Sequence, residues 1–361
     1  MEYQGPIIDC DVHHRWRDIR DIAEFLPKQW REYVLNTRLA PPPVHYPFPF
    51  GTNKRLDTFG PNGEPPGTSH DMLRSQLLDK FGVTHAVLGY DVGEEMSHPN
   101  PHYATAMASA SNDWSIANWL DADQRFYGAV LVAAQDPQRA AAEIRRVGSH
   151  PRMVEVLFSD CGASHPFGHP VYDPIYRACT ELNLPVAIHF GSPTFGGLAQ
   201  MSAGGLPLNR LDYYTLLNQA GMHHFASFFT QGCFDRFPDL RMVMLEAGVN
   251  WVPWVLWQLD AYADDLRCEN PTMTRRPSEY LQSNIWISTQ PLEPGPGIRD
   301  QAALLGAVEG LEKSLCFASD YPHWDADEVD YIQRFLPSDW LPGLFYDNAA
   351  RLFKLPERVL S

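Results

Sequence analysis

The sequence is poor in positive charge. Its 28 lysines and arginines are outnumbered by 44 aspartates and glutamates, which gives a formal net charge of −16 over 361 residues. Nucleic acids and anionic membrane surfaces both select basic patches, because their phosphates have to be neutralised. The composition therefore argues against both as main partners, although a locally basic pocket is still compatible with it.

Paired cysteines and long apolar runs are also missing. The six cysteines are scattered without a C-x-x-C spacing, and no apolar run approaches the roughly 20 residues of a membrane-spanning helix. The first residues, MEYQGP, contain neither the basic nor the apolar segment of a secretory signal. These features predict a reduced, cytoplasmic protein that does not enter the membrane.

Several common catalytic motifs are absent as well. No G-x-x-x-x-G-K-[ST] or G-x-G-x-x-G follows a predicted strand, so the sequence carries no signature of a phosphate or dinucleotide site. The G-x-S-x-G turn of serine hydrolases does not occur either. The chemistry of an enzyme with this sequence has to come from other groups.

What the sequence does contain is an alternation of short apolar runs with longer helical patterns. Eight runs rich in β-branched residues are each followed by a helix-like stretch and a turn signal. Such repetition predicts a single α/β domain over 1–361, a (β/α)8 TIM barrel, rather than a doubly wound open sheet. The predicted strands are 6–12, 84–90, 126–132, 152–158, 185–190, 241–248, 284–289 and 314–320.

A segment rich in proline and glycine, 36–68, interrupts the pattern after strand 1. Loops that follow barrel strands lie on the C-terminal face, where TIM-barrel active sites are built. The PPPVHYPFPFG stretch therefore predicts either an aromatic lid over the site or an ordered loop packed on the rim. The lid would use His45, Tyr46, Phe48 and Phe50.

Four predicted strands carry ionisable residues where a parallel barrel strand is normally apolar. Strand 1 contains Asp11 and His13, whose i, i+2 spacing directs both side chains into the barrel. Strand 5 ends at His189, strand 6 at Glu246 and strand 8 at Asp320. Buried ionisable groups are costly unless they are paired or bind a metal, and imidazole and carboxylate are ligands of catalytic metals. Their convergence at one end of the barrel predicts a metal centre.

The D-x-H of strand 1 and the stretches VAIHFG, LEAG-x-x-W and SDYPHWD resemble the amidohydrolase superfamily, in the branch of aminocarboxymuconate-semialdehyde decarboxylase and resorcylate decarboxylase. The resemblance runs over nearly the whole chain and implies a distorted (β/α)8 barrel with one or two divalent metals, such as zinc, iron or manganese. It also implies that Asp11, His13, His189 and Asp320 are metal ligands, with Asp320 able to act as a base. The chain departs from the family at two positions, because Asp11 stands where a histidine is common and Glu246 where the decarboxylases have a histidine.

A further carboxylate, Glu155, lies in the middle of strand 4. Superfamily members with two metals bridge them with a group from strand 4, so the resemblance implies that Glu155 takes that place. His223 and His224 follow strand 5, and His224 is the candidate ligand of the second metal. The alternatives are an ion pair between Glu155 and an arginine, and packing of the two histidines on a helix. The arginines considered are Arg145, Arg146 and Arg152.

His323 follows Asp320 by three residues and is predicted either to lie above the metal, within reach of a substrate oxygen, or to stack on Trp324. Together with Asp320 and Glu246 it makes up the predicted catalytic set. In a hydrolase, metal-bound water has a pKa near neutrality and attacks an acyl carbonyl while Asp320 takes the proton. In a decarboxylase, an acid delivers a proton to carbon. Both remain open, and the missing strand-6 histidine favours hydrolysis.

An oxygenase is the alternative from a different class. Carboxylates beside histidine-ligated metals are also typical of a dinuclear non-haem iron centre, and Glu155 with His223 and His224 would support a monooxygenase. The aromatic insertion and a tryptophan-rich stretch suit a small apolar or aromatic substrate in either class. A barrel without catalytic activity, acting as a binding module, is the third alternative.

The stretch WVPWVLWQLDAYADDL after strand 6 carries Trp251, Trp254 and Trp257. This is more apolar surface than one core-facing helix stripe accommodates. It predicts a homodimer interface, and the alternative is that all three tryptophans pack inside the monomer.

Overall fold

The computed structural model describes residues 3–36, 53–91, 98, 100–159, 163–190, 209–216, 218–281, 283–295 and 297–356. The ring-bearing residues of the predicted lid lie outside these ranges. They are His45, Tyr46, Phe48 and Phe50. The lid therefore stays a prediction.

Eight parallel strands pair in chain order, which confirms the predicted α/β barrel. Backbone hydrogen bonds from Asp320 to the carbonyl of Asp11 and from His13 to the carbonyl of Tyr321 join the last strand's end to the first strand. The strands are β1 (Ile7–His14), β2 (Val83–Tyr90), β3 (Phe126–Leu131), β4 (Met153–Ser159), β5 (Val186–His189), β6 (Met242–Leu245), β7 (Ile285–Ser288) and β8 (Leu315–Cys316).

Each strand is followed by at least one helix, and local sequence explains where several helices begin. Asn100 and Asp136 cap α5 and α6 by accepting backbone N–H bonds, and each is followed by a proline in the first turn. None of the described helices has the length and apolar character needed to cross a membrane. The helices are α1 (Ile19–Ala23), α2 (Lys28–Asn36), α3 (His70–Leu73), α4 (Asp79–Phe81), α5 (Pro101–Ser115), α6 (Pro137–Val147), α7 (Asp173–Leu182), α8 (Arg210–Leu216), α9 (Asn218–Thr230), α10 (Cys233–Arg236), α11 (Val252–Ala263), α12 (Ile298–Gly306), α13 (Val329–Phe335) and α14 (Asn348–Phe353).

β6 and β8 fall furthest short of their predicted lengths, and the chain bends after each of them at the barrel mouth. β8 covers only Leu315–Cys316, and β6 ends at Leu245. Beyond these ends, Glu246 and Asp320 have backbone φ angles of 55° and 57°, a conformation that strand residues do not adopt. The bends place both carboxylates at the C-terminal mouth of the barrel.

The three tryptophans after β6 have different environments. Trp251 is buried and donates to the carbonyl of Ala247 at 2.8 Å. Trp254 and Trp257, on α11, are 55% and 46% exposed. Packing of all three inside the monomer is therefore wrong, and the homodimer interface stays a prediction.

Candidate metal centre

The first group of candidate ligands comes from three strand ends. β1, whose eight residues are all buried, contributes Asp11 and His13, β5 contributes His189, and the bend after β8 contributes Asp320. One donor atom from each of these four side chains lies within 4.8 Å of the other three. The structure thus brings together the four residues that the resemblance implies as ligands.

Short distances link these four side chains. His13 Nε2 lies 2.9 Å from Asp320 Oδ1 and 3.6 Å from Asp11 Oδ1, while His189 Nε2 lies 3.3 Å from Asp11 Oδ2. Within the described parts of the chain, Asp11 Oδ2 and His189 Nε2 are buried and form no hydrogen bond. Two imidazoles and two carboxylates that converge in this way suit a divalent cation.

Two further side chains extend this cluster toward the rim. Glu246 Oε2 lies 3.3 Å from His189 Nε2, and His323 Nδ1 lies 2.6 Å from Asp320 Oδ1. Glu246 and His323 form a second group with His13 and Asp320, again with donor atoms within 4.8 Å of one another. The three residues predicted to be catalytic are therefore adjacent to the predicted ligands.

Burial and neighbouring charges set the protonation of the cluster. Burial raises the pKa of Glu246 well above its usual range, and the charge of Asp320 raises it further. Burial lowers the pKa of His189, but the charges of Asp11 and Glu246 outweigh this effect and raise it to about 10. Both shifts favour the protonated forms of Glu246 and His189, so binding of a cation by His189 would be coupled to release of its proton.

Sequence reasoning missed a charged network beside the second group. Asp91, directly after β2, accepts a hydrogen bond from Arg15 Nη1 at 3.0 Å, forms an ion pair with Lys54, and lies 3.6 Å from His323 Nε2. The side chains of Asp91 and Lys54 are only 4% and 7% exposed. A signal for Asp91 is present, since it too is a carboxylate that directly follows a predicted strand, whereas nothing around Lys54 marks it.

Glu155 lies within β4 and is 1% exposed. Pairing with a nearby arginine is wrong, because Arg145, Arg146 and Arg152 bond to other groups. Its Oε2 forms no hydrogen bond with the described residues, and burial raises its pKa well above the usual range. Glu155 belongs to neither group of mutually close donors, so its bridging role stays a prediction.

The predicted histidine pair lies on α9. His223 is exposed, whereas His224 is 1% exposed, accepts the backbone N–H of Phe167 through Nδ1 at 3.2 Å and stacks on the Phe167 ring. The structure brings neither histidine into the two donor groups of the described residues. The role of His224 as a second-metal ligand therefore also stays a prediction.

Neutral His224 should make stability depend on pH. Burial, and then the charge of His223, lower the pKa of His224 from 6.5 to about 3. The unfolded chain binds this proton more tightly than the folded protein does. The contribution of His224 to the free energy of unfolding is therefore fully present above about pH 6.5 and is lost as the pH falls toward 3, by at most about 1.4 kcal/mol per pH unit. Urea unfolding at about pH 7.5 and about pH 4.5 should show a smaller loss in His224→Gln than in wild type. Equal losses would contradict a buried neutral imidazole.

Comparison with known proteins gives matches over most of the chain. A family model described as amidohydrolase matches residues 8–355. The γ-resorcylate decarboxylase of Rhodococcus jostii is 26% identical over 321 residues, which cover 80% of this chain and 92% of the relative. Both matches confirm the resemblance stated from the sequence motifs.

Solved structures give likenesses of fold. The 5-carboxyvanillate decarboxylase of Novosphingobium aromaticivorans, complexed with manganese and 4-hydroxy-3-methoxy-5-nitrobenzoic acid, has a TM-score of 0.71 at 19% identity, covering 97% of this chain and 96% of that one. The 2,6-dihydroxybenzoate decarboxylase from Rhizobium has a TM-score of 0.66 at 18% identity, covering 98% and 99%. At these identities the likenesses confirm the barrel.

Proposed function

Since this chain belongs to the amidohydrolase family, we propose that it is a divalent-metal-dependent decarboxylase of small, hydroxylated aromatic carboxylates. Membership confirms the predicted class, a metal-dependent hydrolase or lyase, and the predicted divalent metal. The convergence of Asp11, His13, His189 and Asp320 at the barrel mouth carries the proposal. It is supported by relatives that are decarboxylases of resorcylate, dihydroxybenzoate and carboxyvanillate.

We assign the metal to Asp11, His13, His189 and Asp320. Asp11 Oδ2 and His189 Nε2 are buried 3.3 Å apart and form no hydrogen bond with the described residues, so a cation would give both atoms a better-directed partner than they give each other. Mixed imidazole and carboxylate donors suit manganese, iron or zinc, and manganese is present in the carboxyvanillate decarboxylase structure. The ion would supply Lewis acidity that binds and polarises the carboxylate and phenolic oxygens of the substrate.

One charged network beside this centre would attract an anionic substrate. Lys54 and Arg15 share one carboxylate, Asp91, so the network carries an excess of positive charge. Lys54 pairs through its backbone with His323, and its charge acts on Asp320. We assign to Lys54 the attraction of the substrate carboxylate, and to His323 a hydrogen bond to a substrate oxygen.

Decarboxylation requires one proton at the ring carbon that loses the carboxylate. The bond between this carbon and the carboxylate breaks, its electron pair takes up the proton, and CO2 leaves. We assign Glu246 as the donor, because it lies against His189 at the barrel mouth but is not one of the four assigned ligands. Glu246 then regains a proton from water.

Hydrolysis is the second candidate, and one observation favours it. Glu246 stands where the resemblance places a histidine in the decarboxylases, and as a carboxylate it would accept a proton from an attacking water. The monooxygenase alternative has no support from the relatives described above.

Turnover by protein that is stripped with a chelator and reconstituted with Mn²⁺ tests the proposal. The substrates are 2,6-dihydroxybenzoate, 5-carboxyvanillate and a phenyl ester. We expect CO2 release together with the decarboxylated phenol. Ester cleavage without CO2 release would favour hydrolysis, and the absence of both reactions would count against both candidates.

We further propose that Glu155 holds a second divalent ion next to the first. It is a buried carboxylate with an unpaired oxygen within the described chain, and Asp11 and His189 are the charged groups that act on it. After reconstitution with Mn²⁺ we expect about two ions per wild-type chain and about one in Glu155→Gln, which keeps the shape and loses the charge. Equal metal content in the two proteins would end the bridging proposal.

A further inference from the structure

A buried amide after β7 connects the metal centre to an unfilled hydrogen-bonding position. Gln290 is 0% exposed, and its Nε2 donates to Asp320 Oδ2 at 2.9 Å. Its Oε1 is also buried and accepts no hydrogen bond from the residues that the structure describes. We propose that Gln290 Oε1 accepts a hydrogen bond from a substrate hydroxyl and so selects hydroxylated over unhydroxylated aromatic carboxylates.

The orientation of this amide follows from its partner. The amide nitrogen of Gln290 is the atom that lies against Asp320 Oδ2, so the amide oxygen faces away from this carboxyl group. Both amide atoms are bonded to one carbon, which keeps Oε1 within about 5 Å of Asp320 Oδ2. Oε1 therefore lies beside the assigned ligands, where a substrate bound to the metal would be held.

The other buried amide side chains of the described chain use both their nitrogen and their oxygen. Gln301, for example, donates to Asn250 Oδ1 and accepts the backbone N–H of Gly295. The remaining three are Asn112, Asn284 and Asn348. An unfilled buried acceptor costs free energy. Among these five amides Gln290 alone leaves its oxygen unfilled, and it is the one beside the metal centre.

The two carboxylate oxygens of Asp320 have different partners, and Gln290 binds only one of them. Oδ1 contacts His13 and His323, whereas Oδ2 is held by the amide. One side chain therefore orients an assigned ligand through its nitrogen and would receive the substrate hydroxyl through its oxygen. A substrate without that hydroxyl leaves the buried oxygen unfilled, and sites built to bind a hydroxyl discriminate strongly for this reason.

This inference rests on the proposed function, since it names the substrate feature that the same site recognises. The probes are 2,6-dihydroxybenzoate and 2,6-difluorobenzoate, which share a carboxylate and are similar in size, although only the first donates hydrogen bonds from its ring substituents. Calorimetric titration of Mn²⁺-reconstituted wild type should show at least about tenfold tighter binding of the dihydroxy compound.

The variant is Gln290→Met, which has a similar length and no hydrogen-bonding amide. We expect its preference to fall to about twofold or less. Ser288→Ala is the matched control, because Ser288 is also fully buried on β7 and its hydroxyl has no partner among the described residues. This control should keep the wild-type preference.

The possible outcomes distinguish failure of the Gln290 inference from failure of the proposed function. A wild-type preference retained in Gln290→Met overturns the inference while the proposed function stands, and binding of neither probe by wild type overturns both. If Gln290→Met does not hold manganese, binding of 2-aminobenzoate and 2-fluorobenzoate by the wild type is compared instead. A neutral amino group donates hydrogen bonds but is a weak metal ligand, so a difference between these two probes reports on the acceptor. Tighter binding of the amino compound supports the acceptor, and equal binding overturns it.

Discussion

His13→Ala should lose most of its bound metal and nearly all activity while remaining a folded barrel. His13 belongs to both groups of candidate donors, 2.9 Å from Asp320 and 3.6 Å from Asp11. Changing a residue that only orients a ligand costs about 10–100-fold in metal affinity, so removing a ligand should cost more than about 100-fold. Metal analysis after reconstitution measures this loss, and circular dichroism with thermal melting verifies the fold.

The neighbouring histidine provides the matched control. His14 is equally buried in β1, but its Nε2 lies 2.9 Å from Ser115 Oγ and its Nδ1 contacts the carbonyl of Gly89. His14→Ala leaves a cavity and unpaired groups, so it should lower the melting temperature while keeping the wild-type metal content. Wild-type metal content in His13→Ala would show that the ligand assignment is wrong. Metal loss in both variants would show that the loss is not specific to His13, and it would leave the ligand assignment without support.

The barrel is predictable from sequence because its strands obey a simple rule. Parallel strands buried on both faces are apolar without alternation, as in the VAI at the start of β5 and the MVML of β6. The rule does not say where a strand stops. After β8 the backbone N–H of Phe317 bonds to the carbonyl of Leu344, a partner 27 residues away, and no local pattern predicts that pairing.

The same rule explains which site residues the sequence reveals. Asp11 and His13 are conspicuous because their strand is otherwise apolar. Lys54 is not conspicuous, because a lysine in a polar loop is ordinary, and only its pairing with Asp91 after β2 gives it a place at the site. For Glu155 the sequence predicts the strand in which it lies. It does not predict the distance from Glu155 to the ligands, because this distance depends on the stagger of neighbouring strands around the barrel.

Glu246→Gln should remove most turnover and leave the assigned metal in place. Glutamine keeps the shape of the side chain and its position against His189, where Glu246 Oε2 lies 3.3 Å from Nε2, but it has no acidic proton to transfer. Loss of a positioned acid typically costs about 10²–10⁴-fold in rate, so kcat should fall by that factor while KM changes by less than about threefold. Steady-state kinetics and metal analysis on the same Mn²⁺-reconstituted preparation measure both effects.

Glu309→Gln is the control for the loss of one negative charge, because Glu309 is an exposed carboxylate between α12 and β8, at the opposite end of the barrel from the mouth, and belongs to neither donor group. It should retain wild-type kcat within about twofold, as surface changes away from a reacting group usually do. Turnover of Glu246→Gln within about tenfold of wild type would indicate that another member of the second group, Asp320 or His323, donates the proton. Loss of the metal together with activity would instead make Glu246 a ligand. In that case His323, which is not among the four assigned ligands and lies 2.6 Å from Asp320 Oδ1, would be the next candidate for the proton donor.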